Sequence, residues 1–272
     1  MGAAQKITAL PDRVGSATLN GLAYVGDLAR LAGESAYITV VGPFRGRGVR
    51  LQRALHQAMA VGVGAIPIVS LIIFFVGLIM ALQSAYELRR LGAVQFVADA
   101  VAISIIRELG PLITAIIVIG RSGSAFAAEI STMRVTEEVD ALETMGLRPV
   151  AFLVAPKFLA MLVMVPCLTI WADFMGVMGG CLFGVAGASF TVLSYLRATR
   201  DALLVSDILT GLVKSVLFAV VITAVGCQEG FSGGAGAEEV GRSTTTAVVR
   251  SIFLVIAVDL VFTALFYVTN RG

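Results

Sequence analysis

A single charge-free stretch limits what this chain can fold into. Residues 54 to 86 include no Asp, Glu, Lys or Arg and are mostly Val, Ile, Leu, Phe, Ala and Gly. A helix of about 20 apolar residues crosses the hydrocarbon core of a bilayer, which is about 30 Å thick. The stretch therefore predicts a membrane span near residues 61 to 84, preceded by a short lead-in segment. Hydrophobic residues make up 58% of the chain and charged residues only 14%, as expected for a protein that lies largely in lipid.

Four more apolar stretches follow, near residues 100 to 120, 158 to 196, 207 to 228 and 248 to 268. The third is long enough for one kinked helix or two short helices, and its periodicity leaves both open. We expect five spans and hence an all-α integral membrane protein. Residues 54 to 272 would form its transmembrane domain, and residues 1 to 53 an N-terminal cytoplasmic and interfacial segment.

The N-terminal segment has the pattern of an amphipathic helix. Its apolar residues recur at helical spacing, at Leu19, Leu22, Val25, Leu28, Ala29 and Ala32. This predicts a helix that lies in the membrane interface, although a small soluble helical tail would have a similar pattern. The Arg-rich piece at residues 45 to 53 favours the interface, because it would meet anionic lipid headgroups.

The distribution of basic residues predicts the orientation of the chain. With five spans and a cytoplasmic N-terminus, most of the 20 Lys and Arg residues fall on the cytoplasmic side, in agreement with the positive-inside rule. The opposite side receives only Arg89, Arg90, Arg197, Arg200 and Arg271. We therefore expect the C-terminus outside.

Ionisable residues occur within four of the predicted spans. They are Arg107, Glu108, Asp173, Lys214 and Asp259. Such residues are costly in lipid and mark a pathway, a site or a helix-locking pair. Their signs nearly cancel, so we expect them to pair inside the bundle, either for function or only to hold the helices together. Arg107 and Glu108 are consecutive and turned about 100° apart on a helix, so they need separate partners.

Small residues mark a packing face in the third region. Gly176, Gly180, Gly184 and Ala188 recur every four residues, which lets another helix backbone approach closely. The cysteines Cys167, Cys181 and Cys227 have no metal-ligand spacing. They are interpreted as buried thiols, and no metal site is predicted.

A polar loop separates the second and third spans. Ile130, Met133, Val139, Leu142 and Met145 form a broken apolar stripe, and the acidic residues between them are Glu137, Glu138, Asp140 and Glu143. The pattern predicts a helix at about residues 131 to 145 with an exposed acidic face. Such a helix suits docking of a partner or is a solvated connector.

The loop carries a recognisable series of motifs. It reads ELGP at residues 108 to 111, then GRSGSAFAAE at residues 120 to 129, then MRVTEEVDALETMG at residues 133 to 146. This progression resembles the MlaE-type permease family of lipid-transporting ABC systems. The C-terminal part, with Val240-Gly241-Arg242, Asp259-Leu260 and Thr263-Ala264-Leu265, is similar to the closing segment of that family. The resemblance covers about residues 55 to 268.

The resemblance implies a homodimeric permease subunit in the cell inner membrane. Its partners would be two ATPase subunits in the cytoplasm, which would bind the ATP and Mg, and an MCE-domain lipid-binding protein in the periplasm. Many such complexes add a small STAS-type subunit. The coupling segment that contacts the ATPase would include Glu129, Met133, Arg134, Glu137, Glu138, Asp140 and Glu143.

The implied substrate is a phospholipid or a similar amphiphile, whose charged head needs polar groups beside an aliphatic cavity. Arg107, Glu108, Lys214 and Asp259 would shape that cavity. The expected tail contacts are Met80, Leu82, Gln83, Tyr86, Leu88 and Leu91. The direction of transport and the lipid stay open.

Two alternatives from other classes compete with this interpretation. An intramembrane lipid-modifying enzyme would use the buried carboxylates as acid and base, but the single His56 and the absence of a Ser-His or Cys-His arrangement argue against it. A passive channel or secondary carrier would leave the acidic loop unexplained. Residues 236 to 243 fit a phosphate loop except for Arg242, but no strand precedes them. No cofactor is therefore expected in this chain, and its net charge of +2 argues against nucleic acid as a partner.

Overall fold

The computed structural model describes residues 2–41, 51–187, 190–234 and 236–269. Within these ranges every regular element is helical. The α-helices are α1 (Gly2–Val41), α2 (Leu51–Val61), α3 (Ile66–Arg90), α4 (Val97–Ser104), α5 (Gly110–Val118), α6 (Ser124–Val135), α7 (Glu138–Thr144), α8 (Ala155–Gly187), α9 (Val192–Ala202), α10 (Val205–Ser232) and α11 (Ala237–Thr269). Short 3₁₀ segments (Val63–Ala65 and Val94–Phe96) and π-helical segments (Ile105–Leu109, Ile119–Gly123 and Val150–Val154) join several of them.

Five helical segments are long and apolar enough to cross a membrane. They are Leu51–Arg90, Val94–Val135, Val150–Gly187, Val205–Ser232 and Ala237–Thr269. The prediction of an all-α membrane protein with five spans is confirmed. The region at residues 158 to 196 crosses once, as α8, and α9 begins separately because Thr191 and Ser194 cap its first turn reciprocally.

Successive spans run in opposite directions, so the connections gather at two ends of the bundle. The α7 end contains the start of the first span, α7 itself and the connection between α10 and α11. The α9 end contains α9 and the connection between α3 and α4. Between the two ends, a core that includes Val69, Ile73, Met161, Phe218 and Ile222 joins the spans.

The N-terminal helix α1 packs against the bundle. Leu28 and Leu31 are buried, and Leu28 contacts a cluster that includes Ala224 and Val225 of α10. Leu19 and Leu22 of the predicted apolar stripe stay exposed, so only part of that stripe faces the protein. The predicted basic stretch lies outside the described residues except for its last part, which begins at Leu51.

The predicted glycine face of α8 is a close helix contact. A Cβ on Gly77 of α3 would collide with the backbone of Gly176, and a Cβ on Gly179 would collide with the backbone of Phe74. Farther along α8, a Cβ on Gly184 would meet the ring of Tyr195 from α9. Glycine is needed at the α3–α8 crossing because the two backbones leave no room for a side chain. Ala188 lies outside the described residues.

The structure divides the predicted coupling helix in two. Helix α6 continues from the second span as far as Val135, and α7 begins at Glu138. Thr136 turns its hydroxyl back to the Thr132 carbonyl, and Glu137 adopts a left-handed conformation with a φ of 59°. Both features end a helix, so the predicted single helix at residues 131 to 145 is wrong in its boundaries.

Candidate functional site

Three polar side chains from two other spans meet around the amine of Lys214. Its Nζ lies 2.5 Å from Glu108 Oε2 and 2.9 Å from Asp259 Oδ1. It also donates a hydrogen bond to Thr263 Oγ1, at 2.8 Å. We call Glu108, Lys214, Asp259 and Thr263 the Lys214 cluster. The side chain of Lys214 is only 1% exposed, so the two carboxylates compensate a charge that is removed from water.

The backbone around Glu108 explains how the cluster can form. Glu108 lies in the π-helical segment Ile105–Leu109, a wider turn that is frequent at functional sites. A Cβ on Gly211 of α10 would collide with the Ile106 carbonyl oxygen. The glycine therefore lets α10 approach the π segment directly, and Lys214, one turn farther along α10, reaches the Glu108 carboxylate.

Arg107 has a different partner, as its position beside Glu108 predicts. Its guanidinium lies 3.8 Å from Asp207 Oδ1. Asp207 also accepts a hydrogen bond from the backbone N–H of Leu204 at the start of α10. Asp207 and Lys214 are separated by two helical turns and therefore lie on the same face of α10. Arg107 and Glu108 are thus both held against one helix.

Asp173 does not join these ion pairs, so the prediction that all five intramembrane charges pair is wrong for it. It packs beside Gly110, where a Cβ would collide with its Oδ1. That oxygen is buried and, among the described residues, has no hydrogen-bond partner. Asp173 lies on α8, whereas the ion-paired side chains lie in the π segment Ile105–Leu109, on α10 and on α11.

The predicted tail contacts lie near the α9 end of α3 and in the turn after it. Leu82, Tyr86 and Leu91 are exposed, as is Gln83. Met80 and Leu88 instead pack against a cluster that contains Ala85, Val101 and Ile105. These two side chains therefore connect α3 to the beginning of the π segment that carries Glu108, whereas the other four face outward.

The predicted coupling residues divide into three groups. Glu129 is paired with the buried amine of Lys157, with 2.7 Å between Oε2 and Nζ, and Met133 packs against the apolar side of α7. Glu138, Asp140 and Glu143 are exposed on α7. The remaining two, Arg134 and Glu137, line a pocket of about 290 Å³ beside the connection between α10 and α11. Asp140 of α7 also contributes to this pocket.

A second polar network at the α7 end was not predicted. Glu229 of α10 is buried and accepts hydrogen bonds from the Tyr24 hydroxyl, at 2.7 Å, and from Arg250 Nη1. The Arg250 guanidinium also lies 4.7 Å from the centre of the Tyr24 ring. Burial and the contact with Glu229 raise the pKa of the Tyr24 phenol, which keeps its proton available for donation. This network joins α1, α10 and α11.

Sequence patterns could have identified some of the missed residues. Asp259 and Thr263 are one turn apart on α11, and Asp207 and Lys214 share a face of α10, so helical spacing would have grouped each pair. No local pattern joins Tyr24 to Glu229, because they are far apart in the chain.

The described residues outside these networks include possible metal ligands and three cysteines. No group of three or more His, Cys, Asp or Glu residues in the described ranges could hold a metal ion. Cys181 and Cys227 are buried as predicted, but Cys167 is exposed on α8, so its predicted burial is wrong. An apolar side of a membrane helix can face lipid, and burial inside the protein does not follow from an apolar sequence.

Comparison with known proteins assigns the chain to a family. The profile of the family described as Permease MlaE matches residues 54–265. The chain belongs to the MlaE permease family. The resemblance inferred from the loop motifs is therefore confirmed, and the matched range contains the Lys214 cluster and α7.

Several relatives of this MlaE-family chain are named probable ABC transporter permease proteins. A probable ABC transporter permease protein of Rickettsia prowazekii is 40% identical over 217 residues, which cover 80% of this chain and 84% of the relative. A similarly named protein of Synechocystis is 36% identical over 76% of this chain and 79% of its own length. Protein TRIGALACTOSYLDIACYLGLYCEROL 1, chloroplastic, of Arabidopsis thaliana is 32% identical over 80% of this chain and 63% of its own length.

Proposed function

We propose that this MlaE-family permease moves a phospholipid or a similar amphiphile between the inner membrane and a periplasmic MCE-domain partner, driven by separate ATPase subunits. The observation that carries the proposal is the partly open Lys214 cluster in an aliphatic bundle. Within this cluster the Glu108 side chain is 32% exposed, and the adjacent Arg107 side chain is 34% exposed. A lipid headgroup needs such polar contacts, and its tails need the aliphatic surface around them. The name of the Arabidopsis relative contains a lipid, trigalactosyldiacylglycerol, which supports the same substrate class.

Helix α7 is the proposed docking site for the ATPase, which would hold the ATP and Mg. Its exposed side is acidic, whereas Val139 and Leu142 are buried against Leu153 and Phe231. Movement of α7 would therefore reach the start of the third span and the end of the fourth. Two permease copies would engage two ATPase subunits, and a STAS-type subunit can bind the same cytoplasmic side.

The second copy of this chain is proposed to cover α11. Only 6% of the most apolar part of α11 is buried within the chain, against 50% to 56% for the second, third and fourth spans. Val249, Phe253 and Leu260 are exposed there. Contact between two α11 helices would place the two Lys214 clusters on either side of a shared cavity. In a variant whose native cysteines are replaced by Ser, Phe253→Cys should form a disulfide-linked dimer, whereas Ile79→Cys on α3 should not.

The proposed orientation places the α7 end in the cytoplasm and the end of α11 in the periplasm. In the same cysteine-free background, an impermeant maleimide added outside spheroplasts should label Thr269→Cys but not Arg148→Cys. The reverse result would contradict the orientation.

Lipid transfer from proteoliposomes to a purified MCE-domain acceptor tests the function. The complete complex should transfer fluorescent phospholipid only with ATP, and Glu108→Lys should abolish transfer. Glu87→Lys is the matched control, because Glu87 is exposed and lies outside the cluster. ATP hydrolysis without any lipid transfer by the intact complex would contradict the proposal.

A further inference from the structure

A large cavity at the α7 end is separate from the Lys214 cluster. It has a volume of about 810 Å³ and lies between α2, the end of α6 and the start of α8. Pockets that bind small-molecule ligands typically have volumes of about 300 to 1,000 Å³. The Lys214 cluster is formed by α10, α11 and the π segment Ile105–Leu109, whereas none of these three elements lines this cavity.

One side of the cavity is basic. Lys157 is 2% exposed, and its Nζ is held 2.7 Å from Glu129 Oε2 and 5.1 Å from the centre of the Phe126 ring. The Arg53 guanidinium lies 3.8 Å from the centre of the Phe152 ring. The charged residues that line the cavity are Arg53, Lys157 and Glu129. Since Glu129 is paired with Lys157, the charge of Arg53 is left in excess. His56, Gln52 and Gln57 add further polar groups.

The other side of the cavity is apolar. Leu55, Met59, Met133 and Leu153 contribute to the lining, and Leu55 and Met59 are more than half exposed. They lie on α2, which forms the first part of the span Leu51–Arg90. Polar groups on one side and an aliphatic wall continuous with the membrane surface match a molecule with a charged head and apolar chains.

The cavity has a fixed wall. The Arg121 guanidinium donates hydrogen bonds to the carbonyls of Ala60, at 2.9 Å, and Val61, at 3.4 Å. These bonds hold the end of α2 against the π-helical segment Ile119–Gly123. Because α2 is anchored there and Arg53 is stacked on Phe152 at its other end, the basic and apolar groups keep their relative positions.

We propose that this cavity binds one anionic phospholipid from the membrane leaflet at the α7 end. The phosphate and headgroup lie against Arg53, Lys157 and His56, and the acyl chains follow Leu55 and Met59 along the first span. Basic pockets between transmembrane helices recognise acidic headgroups in this manner. The bound lipid joins α2 to the π-helical segment Val150–Val154 at the start of the third span, against which α7 packs through Leu153. The inference requires neither the proposed transport activity nor the proposed orientation.

Lipid retention by the purified permease alone tests the proposal, without ATPase or MCE-domain partners. The delipidated protein is mixed with equal amounts of phosphatidylglycerol and phosphatidylcholine in detergent, and bound lipid is counted by native mass spectrometry. We expect at least about a fivefold preference for phosphatidylglycerol, which corresponds to about 1 kcal/mol. Arg53→Gln should remove most of this preference. Arg148→Gln is the matched control, because Arg148 is exposed at the same end and does not line the cavity.

A second variant tests the role of the ion pair between Lys157 and Glu129. Replacing Lys157 with Met and Glu129 with Gln together removes both charges and so avoids a lone buried ion; this variant should bind the two lipids equally while it remains monodisperse in gel filtration. Equal retention of both lipids by the unmodified protein, or an equal effect of Arg53→Gln and Arg148→Gln, would overturn the proposal. Displacement of phosphatidylglycerol by inorganic phosphate would also overturn it, because the site would then recognise a free anion. A permease that passes this test but transfers no lipid would contradict only the proposed function.

Discussion

Replacement of Glu108 provides the most direct test of the Lys214 cluster. Two unit charges about 4 Å apart interact by about 4 kcal/mol at an effective dielectric constant of about 20. One third of the Glu108 side chain is exposed, which reduces its interaction with Lys214 to about 2 kcal/mol. Glu108→Gln removes the charge but keeps the shape, and Asp259, 2.9 Å from the amine, still compensates Lys214. We expect a loss of about 1 to 2 kcal/mol in the free energy of unfolding.

Glu108→Lys should cost more, because it removes the attraction and places two ammonium groups close together, with only Asp259 to compensate them. The expected loss is about 4 kcal/mol. In a protein of this size 1 kcal/mol corresponds to a shift of about 2 °C in Tm, so we expect shifts of about 3 °C for Gln and about 8 °C for Lys.

The Tm of both variants can be measured by thermal unfolding in nanodiscs, with tryptophan fluorescence as the signal. The two variants should be compared at equal expression. Lipid transfer by the complete complex should fall in the same order. Combining Glu108→Lys with Lys214→Glu should recover part of the loss, since the exchanged charges attract again. Equal stability and activity of the Gln and Lys variants would refute the reasoning and show that Glu108 interacts mainly with water.

Three further changes address other parts of the structure. Gly77→Val places a side chain against the Gly176 backbone and should prevent stable α3–α8 packing, detected as aggregation in gel filtration; normal elution would contradict the close approach. Tyr24→Phe removes the hydrogen bond to Glu229 and should cost about 1 kcal/mol, with faster hydrogen exchange in α1; unchanged exchange would mean that the bond does not hold α1. Reversal of Glu138 and Asp140 to Lys should weaken ATPase pull-down and leave the permease in the membrane; wild-type binding would make α7 a connector.

Several features of the fold could be predicted because they depend on local sequence. The cost of placing a charge in lipid belongs to each segment by itself, so hydropathy was sufficient to predict five spans. Glycine spacing on α8 predicted a close helix contact for the same reason, because one helix face is defined by residues of one segment. The motifs of the loop also lie within one stretch, and they were sufficient to indicate the family.

The boundaries of α7 depend on the backbone conformation at two residues, which the apolar pattern does not report. The predicted helix at residues 131 to 145 had a continuous amphipathic pattern, but Thr136 and Glu137 interrupt it. Periodicity measures which side of a helix is apolar and carries no information about a left-handed residue. The apolar stripe was therefore partly right, since Val139 and Leu142 are buried, whereas the single helix was wrong.

The sequence alone determined which segments enter the membrane and that charges inside them would need partners. Tertiary structure decided which partners meet: Glu108 and Lys214 are 106 residues apart in the chain, and Tyr24 and Glu229 are 205 apart. Asp173 has the same cost in lipid as Asp259, yet it faces Gly110 and only Asp259 reaches the amine of Lys214. The difference arises because hydropathy sums over one helix, whereas an ion pair requires two helices to place their side chains within a few ångströms, and the packing of the whole bundle sets that distance.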